Sequence, residues 1–534
     1  MHDHLLLSGN EAVALAARHA GFSLGCGYPG TPSTEILESF RELGGHAEWS
    51  PNEKVALEVA LGASYGHGRV LATMKHVGLN VAADVLFTAA LTDCPGALIV
   101  VSADDPGMAS SQNEQDNRRY ATAAAVPMLE PSDSQDAYDL FLVATEISER
   151  WRLPVLFRMT TRVCHSKGVV RTHPPKEAPP ATTYERNIQG RVRIPAFARP
   201  AHPVLRAKLA EIAAWGETSG LHRVERGTSD TGIVTSGVPY LHAREAAPEA
   251  SILKLSLTHP LPEKAIKEFA ASVKTCRVVE EGDPYLVEAL RCMGLPVPAT
   301  PIEFRFGELN VELVRKLLSG DKKPKPVGAP GRPPRLCDAC PHINVFEVLR
   351  KLGCIVAGDI GCYTLGVLPP YEAMDMMVCM GASIGMGLGL RHVLPRDQAK
   401  RVVSVIGDST FIHSGLTGMA EMVYNPPTTG HVLIILDNET TAMTGHQEHP
   451  GTGRDMSHQS TGHIVIEEVA KAMGIRNIHV VDPFKHQDEF ERLVSDALIP
   501  DELTLIIARR PCVLVAGQIR SWKQAVAEGT CHAT

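Results

Sequence analysis

Two groups of residues in this 534-residue chain have types and spacing that suit chemistry. The first is Gly407-Asp408-Ser409, followed after 27 residues by Asp437-Asn438. Each follows a β-branched run, Val402–Ile406 and Val432–Leu436, so both stand at the carboxyl ends of expected strands. Ligands of open α/β sheets bind at such ends. Asp408 offers a carboxylate, Asn438 an amide oxygen and Thr440 its backbone carbonyl. A few protein oxygens of this kind, with phosphate oxygens, are what Mg2+ needs to hold a diphosphate. Gly407 lets the chain turn tightly against such a ligand. Without a ligand, the same residues are an ordinary strand end with an Asp-containing turn. The second group is Cys337-Asp338-Ala339-Cys340, Cys362 and, after Pro511, Cys512. Four thiolates suit a 4Fe-4S cluster or zinc. The C-x-x-C pair alone suits a redox couple, and any one cysteine suits core packing.

The elements that must position these groups are legible as alternating strands and helices. Ser8-Gly9-Asn10-Glu11 has capping-box spacing and predicts a helix start after Leu5-Leu6-Leu7. Leu71–Met74, Ala97–Val101 and Val155–Phe157 read as buried strands, as do Gly232–Ser236, Ile252–Leu257, Arg277–Val279 and Leu503–Ala508. Two Pro-rich polar stretches read as extended connectors. They give an α/β architecture of three open-sheet domains, residues 1–165, 205–320 and 336–534, joined by linkers 166–204 and 321–335. The net charge of −8 has no basic face, which argues against nucleic acid as a partner. The N-terminus lacks a signal-peptide pattern, and the longest uncharged apolar run, about Met376 to Leu390, falls short of a membrane span. The expected compartment is the cytoplasm, with no membrane partner, and cysteines that stay reduced.

The Gly407-Asp408-Ser409 and Asp437-Asn438 stretch resembles the thiamine-diphosphate signature, with Asp437 where many members have a first Asn. Met380–Gly387 resembles the Gly-rich helix start that lies against the diphosphate in those enzymes, with Gly381 at its head. Close helix packing through glycine is the competing reading. The resemblance implies a glutamate that touches N1′ of the aminopyrimidine from a second domain. In Glu53-Lys54-Val55-Ala56-Leu57-Glu58-Val59-Ala60-Leu61-Gly62 the family spacing selects Glu53 over Glu58.

The chain further resembles the 2-oxoacid:ferredoxin oxidoreductases, and among them the large, or alpha, subunits of the indolepyruvate oxidoreductases. Gly27–Ser33 looks like their substrate-side loop, with Thr31 as the substrate-facing hydroxyl. Lys75–Asn80, Asp359–Thr364 and Thr444–Gln447 carry the rest of the likeness. It implies three open-sheet domains of pyrimidine-binding, transketolase-C-terminal-like and diphosphate-binding type. It implies thiamine diphosphate on Mg2+ held by Asp408, Asn438 and Thr440, with Gly381, Gly407 and Ser409 beside the cofactor. It also implies a cluster on Cys337, Cys340, Cys362 and Cys512. The expected reaction is oxidative decarboxylation of an aryl pyruvate to an aryl-acetyl-CoA, with electrons passing to ferredoxin or another acceptor. The expected partners are coenzyme A and a smaller beta subunit in a hetero-oligomer. The alternative is a non-oxidative 2-oxoacid decarboxylase. His76 and His446 are candidate acid–base groups, while His342, His413 and His449 also lie near the motifs. One departure stands out. Many members end in a ferredoxin module, whereas only Cys531 follows Cys512 here.

Overall fold

The computed structural model describes residues 4–176, 183–324 and 334–528. Cys531 and most of the expected 321–335 linker lie outside them. The chain divides into two compact units, Met1–Val327 and Gly328–Thr534.

The first unit contains three sheets. Strands β1 (His4–Ser8), β2 (Leu24–Gly27), β3 (Ala47–Trp49), β4 (Val70–Lys75), β5 (Leu98–Asp104), β6 (Met128–Leu129), β7 (Pro154–Thr160) and β8 (Lys167–Arg171) come first. Strands β9 (Arg223–Glu225), β10 (Thr231–Ser236), β11 (Ser251–Leu255), β12 (Leu257–His259) and β13 (Thr275–Val279) follow. The largest sheet has the order β12-β6-β7-β5-β4-β2-β3, and all its pairs are parallel except β12 on β6. Its central strands β5 and β7 are buried throughout, as expected of strands covered by helices on both faces. The capping box forms as its spacing predicts: Ser8 Oγ accepts from Glu11 N, and Glu11 Oε2 accepts from Ser8 N at 2.6 Å.

Two expectations about organisation change. The stretch 166–204 is not an extended connector among its described residues. Its start, β8, pairs antiparallel with β1, and its end opens the helix Pro195–Gly216. Proline is tolerated at a helix start, where its missing N–H has no partner to lose. Pro200 and Pro203 persist further in because Leu205, Leu209 and Ile212 bury the other half of that helix. The run Ile252–Leu257 is not one strand either. It breaks at Ser256, so that β11 pairs in a small sheet of order β13-β10-β11-β9 while β12 joins the large one. Segment 205–320 therefore shares a sheet with segment 1–165, and both fall in one contact unit. A buried ion network also ties them: Arg118 binds Asp116 at 2.6 Å on its own segment and Glu280 at 2.7 Å on the other.

The second unit has one parallel sheet of order β14-β15-β16-β18-β17, formed by Ile355–Ala357, Val402–Gly407, His431–Asp437, Leu503–Arg509 and Asn477–Val481 in that spatial order. Its two faces carry separate apolar clusters, one around Phe346, Val405 and Ile434, the other around Ile384, Ile406 and Ile435. Alternate residues of β15 and β16 face opposite clusters, the period of two that a covered strand must show. Among the described residues no helix is long and apolar enough to cross a membrane.

Candidate functional site

In the second unit, β15 and β16 are adjacent, with Gly407 opposite Leu436, so Asp408 and Asn438 leave neighbouring strands at the same end. Both are buried, at 3% and 7% exposure, and so is Thr440 at 3%. Asp408 Oδ1 accepts from Ser409 N and Oδ2 from Glu439 N, each at 2.8 Å. Gly451 N donates to His449 Nδ1 at 3.2 Å, which leaves the hydrogen on Nε2, 3.3 Å from Asp408 Oδ2. Despite burial, His449 and these amides hold the Asp408 carboxyl below its usual range. The three oxygens expected to bind a metal are thus all hard donors on one sheet edge, fitted to Mg2+ with a diphosphate. Among the described residues no three His, Cys, Asp or Glu side chains gather to hold a metal; this set contains only one such residue.

Gly407 is needed for packing as well as for turning. A Cβ there would stand 2.8 Å from the Tyr363 ring. Ser409 Oγ lies 2.9 Å from Thr441 Oγ1. Asp437, the departure from the usual Asn, is turned to its own strand neighbour: Arg509 donates to it at 2.6 Å and also binds Glu467. Burial and the nearby Asp408 push Asp437 up to about 7.

The Gly-rich helix is Ala382–Val393, with Gly381 at φ 86°. Of the two readings of its start, an anion-facing helix end and close packing through glycine, the first meets an obstacle. Asp359, named in the sequence only as part of a likeness and with no role, accepts from Gly381 N at 2.9 Å and Ser383 N at 3.0 Å, and Cys379 O takes Ala382 N. A carboxylate from within the chain already occupies the favourable helix N-terminus. The packing reading does hold for Gly387, where a Cβ would meet Ser404 Oγ at 2.3 Å.

The four cysteines share one corner of this unit. Cys337 is exposed, Cys362 half-buried, and Cys340 and Cys512 buried. Burial, with a smaller contribution from the other thiols of the set, pushes Cys340 up to about 12 and Cys362 up to about 11. The donor chemistry suits an iron–sulfur cluster or zinc, yet no three of these thiols stand at coordination distance as the chain lies. Two contacts join this corner to the diphosphate anchor: Tyr363, next to Cys362, packs on Gly407, and Cys512 N donates to Asn438 O at 3.0 Å.

In the first unit, the candidates lie at the carboxyl ends of β2, β3 and β4. Asn52 caps the helix Glu53–Tyr65 through Val55 N, which fixes Glu53 at its first turn. Glu53 is 5% exposed. Glu58 is solvent-exposed and paired with Lys54. Room for the Glu53 carboxylate comes from Gly78, where a Cβ would stand 2.5 Å from Glu53 Oε1. No pattern of charges signals Gly78; only its place in the helix His76–Ala89 does. Thr31 is half-buried in the loop after β2. His76 is fully buried, with Nε2 on Asn113 O at 3.2 Å and Oδ1 at 3.0 Å and no partner for Nδ1. Two carbonyl acceptors put its hydrogen on Nε2 and leave Nδ1 a bare lone pair. In the second unit, His446 lies at φ 68° with Nε2 buried and unpartnered. It lines a cavity of about 280 Å³ with Thr440, Glu448, Arg454 and Trp522.

Residues 359–508 match the family model described as the thiamine pyrophosphate enzyme C-terminal TPP binding domain. Residues 15–218 match the thiamine-diphosphate-binding model of pyruvate flavodoxin/ferredoxin oxidoreductase. Three relatives named indolepyruvate oxidoreductase subunit IorA are similar over nearly the whole chain. That of Archaeoglobus fulgidus is 39% identical over 97% of this chain and 88% of its own. That of Methanothermobacter thermautotrophicus is 38% identical, covering 99% and 90%. That of Pyrococcus horikoshii is 38% identical, covering 97% and 87%. A solved 2-oxoglutarate:ferredoxin oxidoreductase from Magnetococcus marinus has a TM-score of 0.49 at 19% identity, covering 60% of this chain and 65% of that one.

Proposed function

The chain belongs to the indolepyruvate oxidoreductase subunit IorA family, thiamine-dependent 2-oxoacid:acceptor oxidoreductases, and from that premise we propose that it oxidatively decarboxylates an aryl pyruvate to an aryl-acetyl-CoA. The observation that carries the chemistry is the set of buried oxygens of Asp408, Asn438 and Thr440 at adjacent strand ends, inside the matched thiamine-binding stretch. The choice of an aryl pyruvate rests on the names of the relatives.

Thiamine diphosphate, when bound, supplies the nucleophilic carbon and the electron sink that decarboxylation needs. The protein's part is orientation and proton placement. Asp408, Asn438 and the Thr440 carbonyl would hold Mg2+ and with it the diphosphate, and Gly407 and Ser409 line the turn beside them. His449 fixes the Asp408 carboxylate from behind. Glu53, buried in the room that Gly78 leaves, would present its carboxyl to N1′ of the aminopyrimidine and exchange a proton there. Thr31 supplies a hydroxyl to the substrate. His76 and His446 are the candidate acid–base groups, each with a bare buried nitrogen. Coenzyme A takes the acyl group, and two electrons leave to ferredoxin or another acceptor. Cys337, Cys340, Cys362 and Cys512 are the candidate exit. A smaller beta subunit completes the enzyme.

The test is anaerobic turnover of phenylpyruvate or indolepyruvate by the chain with its smaller partner, with thiamine diphosphate, Mg2+, coenzyme A and a dye acceptor. Acyl-CoA formed in step with dye reduction is the expected result. Aldehyde with no dye reduction would establish the non-oxidative decarboxylase instead.

A further inference from the structure

Lys75 ends β4, and its stem runs beneath the Gly30–Thr31 loop. A Cβ on Gly30 would stand 3.0 Å from Lys75 Cβ and 3.9 Å from Lys75 Cδ. At the far end, Nζ donates to the Ser110 carbonyl at 2.6 Å. That uses one of the three ammonium hydrogens and leaves two. Among the described residues no carboxylate forms an ion pair with it. Asp105 attracts it at longer range, but the Asp105 oxygens already accept from Ser110 N, Ser111 Oγ and Thr161 Oγ1. A half-buried cation with no carboxylate in direct contact is costly to keep, and burial correspondingly lowers its pKa.

Its location gives that cost a use. Lys75 leaves β4 beside the turn that carries Thr31 after β2, and β4 and β2 are adjacent parallel strands. Glu53 lies against Gly78, three residues past Lys75. Lys75 thus leaves the sheet at its ligand-binding end, directly before His76 and with its stem against the loop that carries Thr31. Every 2-oxo acid brings one permanent charge, its carboxylate, and loses it when CO2 departs. We propose that Lys75 binds the carboxylate of the 2-oxo acid, with the Gly30–Thr31 loop as the wall of the same subsite. This assignment rests on the reading of the chain as a 2-oxoacid oxidoreductase, and it deepens it. A cation here recognises the substrate and loses its counter-charge when the product forms, which favours release.

The test uses the chain with its smaller partner and compares Lys75→Gln, Lys75→Met and Lys75→Arg. Three quantities are read: kcat and KM for phenylpyruvate, inhibition by 3-phenylpropionate against its neutral amide, and the affinity for thiamine diphosphate. Loss of a charge-assisted contact should raise KM about 10- to 100-fold and change kcat by less than about threefold, since the contact belongs to binding. The wild type should prefer the propionate to the amide. Lys75→Gln and Lys75→Met should lose that preference, and Lys75→Arg should keep it. Unchanged KM and unchanged preference in Lys75→Gln overturn the proposal. So does equal loss of thiamine diphosphate affinity in all three variants, which makes Lys75 a scaffold for the 105–116 loop. If the wild type ignores phenylpyruvate but turns over pyruvate, only the aryl reading fails. Lys75 is then judged in the same way with pyruvate, propionate and propionamide. A wild type that turns over no 2-oxo acid overturns both.

Discussion

The backbone N–H of Cys512 donates to the backbone carbonyl of Asn438 across 3.0 Å. A candidate cluster ligand is therefore hydrogen-bonded to a candidate Mg2+ ligand through the main chain alone. Cys362 has a comparable link, because its neighbour Tyr363 fills the space over Gly407. If electrons leave through this corner, their route begins within two or three residues of the diphosphate anchor.

Because the bond from Cys512 uses only backbone atoms, the two sites should separate cleanly. Cys512→Ser keeps the bond and loses the thiolate. Its thiamine diphosphate affinity should stay within about a factor of two, a change of about 0.5 kcal/mol or less, because the backbone bond survives. Its iron content after anaerobic purification should fall well below that of the wild type. Iron analysis and a cofactor titration check both halves. A wild type containing zinc and no iron would reassign the corner.

Gly78→Ala should act on Glu53 without touching its chemistry. The new Cβ would stand 2.5 Å from Glu53 Oε1, so the carboxylate must move. Misplacing a group that handles a proton costs on the order of 100-fold in turnover. Gly78→Ala and Glu53→Gln should lose activity by similar factors, with circular dichroism unchanged. The double variant should be no worse than either single one. Additive losses would mean that Gly78 acts elsewhere.

Asp408→Asn should weaken cofactor binding by removing the only charged oxygen of the Asp408, Asn438 and Thr440 set. Chelation of Mg2+ should do the same to the wild type. A titration followed by protein fluorescence should show the wild type gaining affinity with Mg2+ and Asp408→Asn gaining little. Equal Mg2+ dependence in both would remove Asp408 from the metal site.

Glu281 gives a pH signature remote from the cofactor residues. Its carboxyl is buried and accepts from the Leu309 amide at 2.8 Å. Burial pushes it up to about 7 from 4.5. Below pH 4.5 folded and unfolded chains both hold the proton, and the full stability of the buried acid is present. As pH rises from there to about 7, only the unfolded chain releases it, and stability falls by up to roughly 3 kcal/mol. Glu281→Gln imitates the protonated acid. Its melting temperature should match the wild type near pH 5 and exceed it by several degrees near pH 8. Equal melting curves at both values would show that Glu281 ionises normally.

What the sequence made legible follows from how local each signal is. The capping box at Ser8 and Glu11, and the strands that end at Gly407 and Asp437, need only neighbours along the chain, and they form where the spacing puts them. The break at Ser256 was hidden because Lys254 and Ser256 alternate with Leu253, Leu255 and Leu257, the period of a single half-buried strand, and nothing in that alternation says that its halves pair in different sheets. The helix Pro195–Gly216 was hidden because proline dominates its first half, while the burial that stabilises it comes from distant residues. Around the site, the role of Asp359 was hidden for the same reason. Its role depends on reaching a helix start 22 residues away, and no local pattern marks that partner. Lys75 and Gly78 were visible only as parts of a resemblance, and their separate roles come from contacts with Gly30 and Glu53.

The switch of sheets at Ser256 also sets the order in which the protein can finish itself. Strand β6, at Met128–Leu129, lies inside the large sheet only once β12, at Leu257–His259, has paired along its outer side. On a ribosome that side stays open while well over a hundred further residues are made, because β12 lies that far downstream. Fragments cut at the apparent boundary near residue 205 would carry a bare edge and should self-associate. A fragment extended past His259 regains its own cover, and the first soluble truncation should begin there.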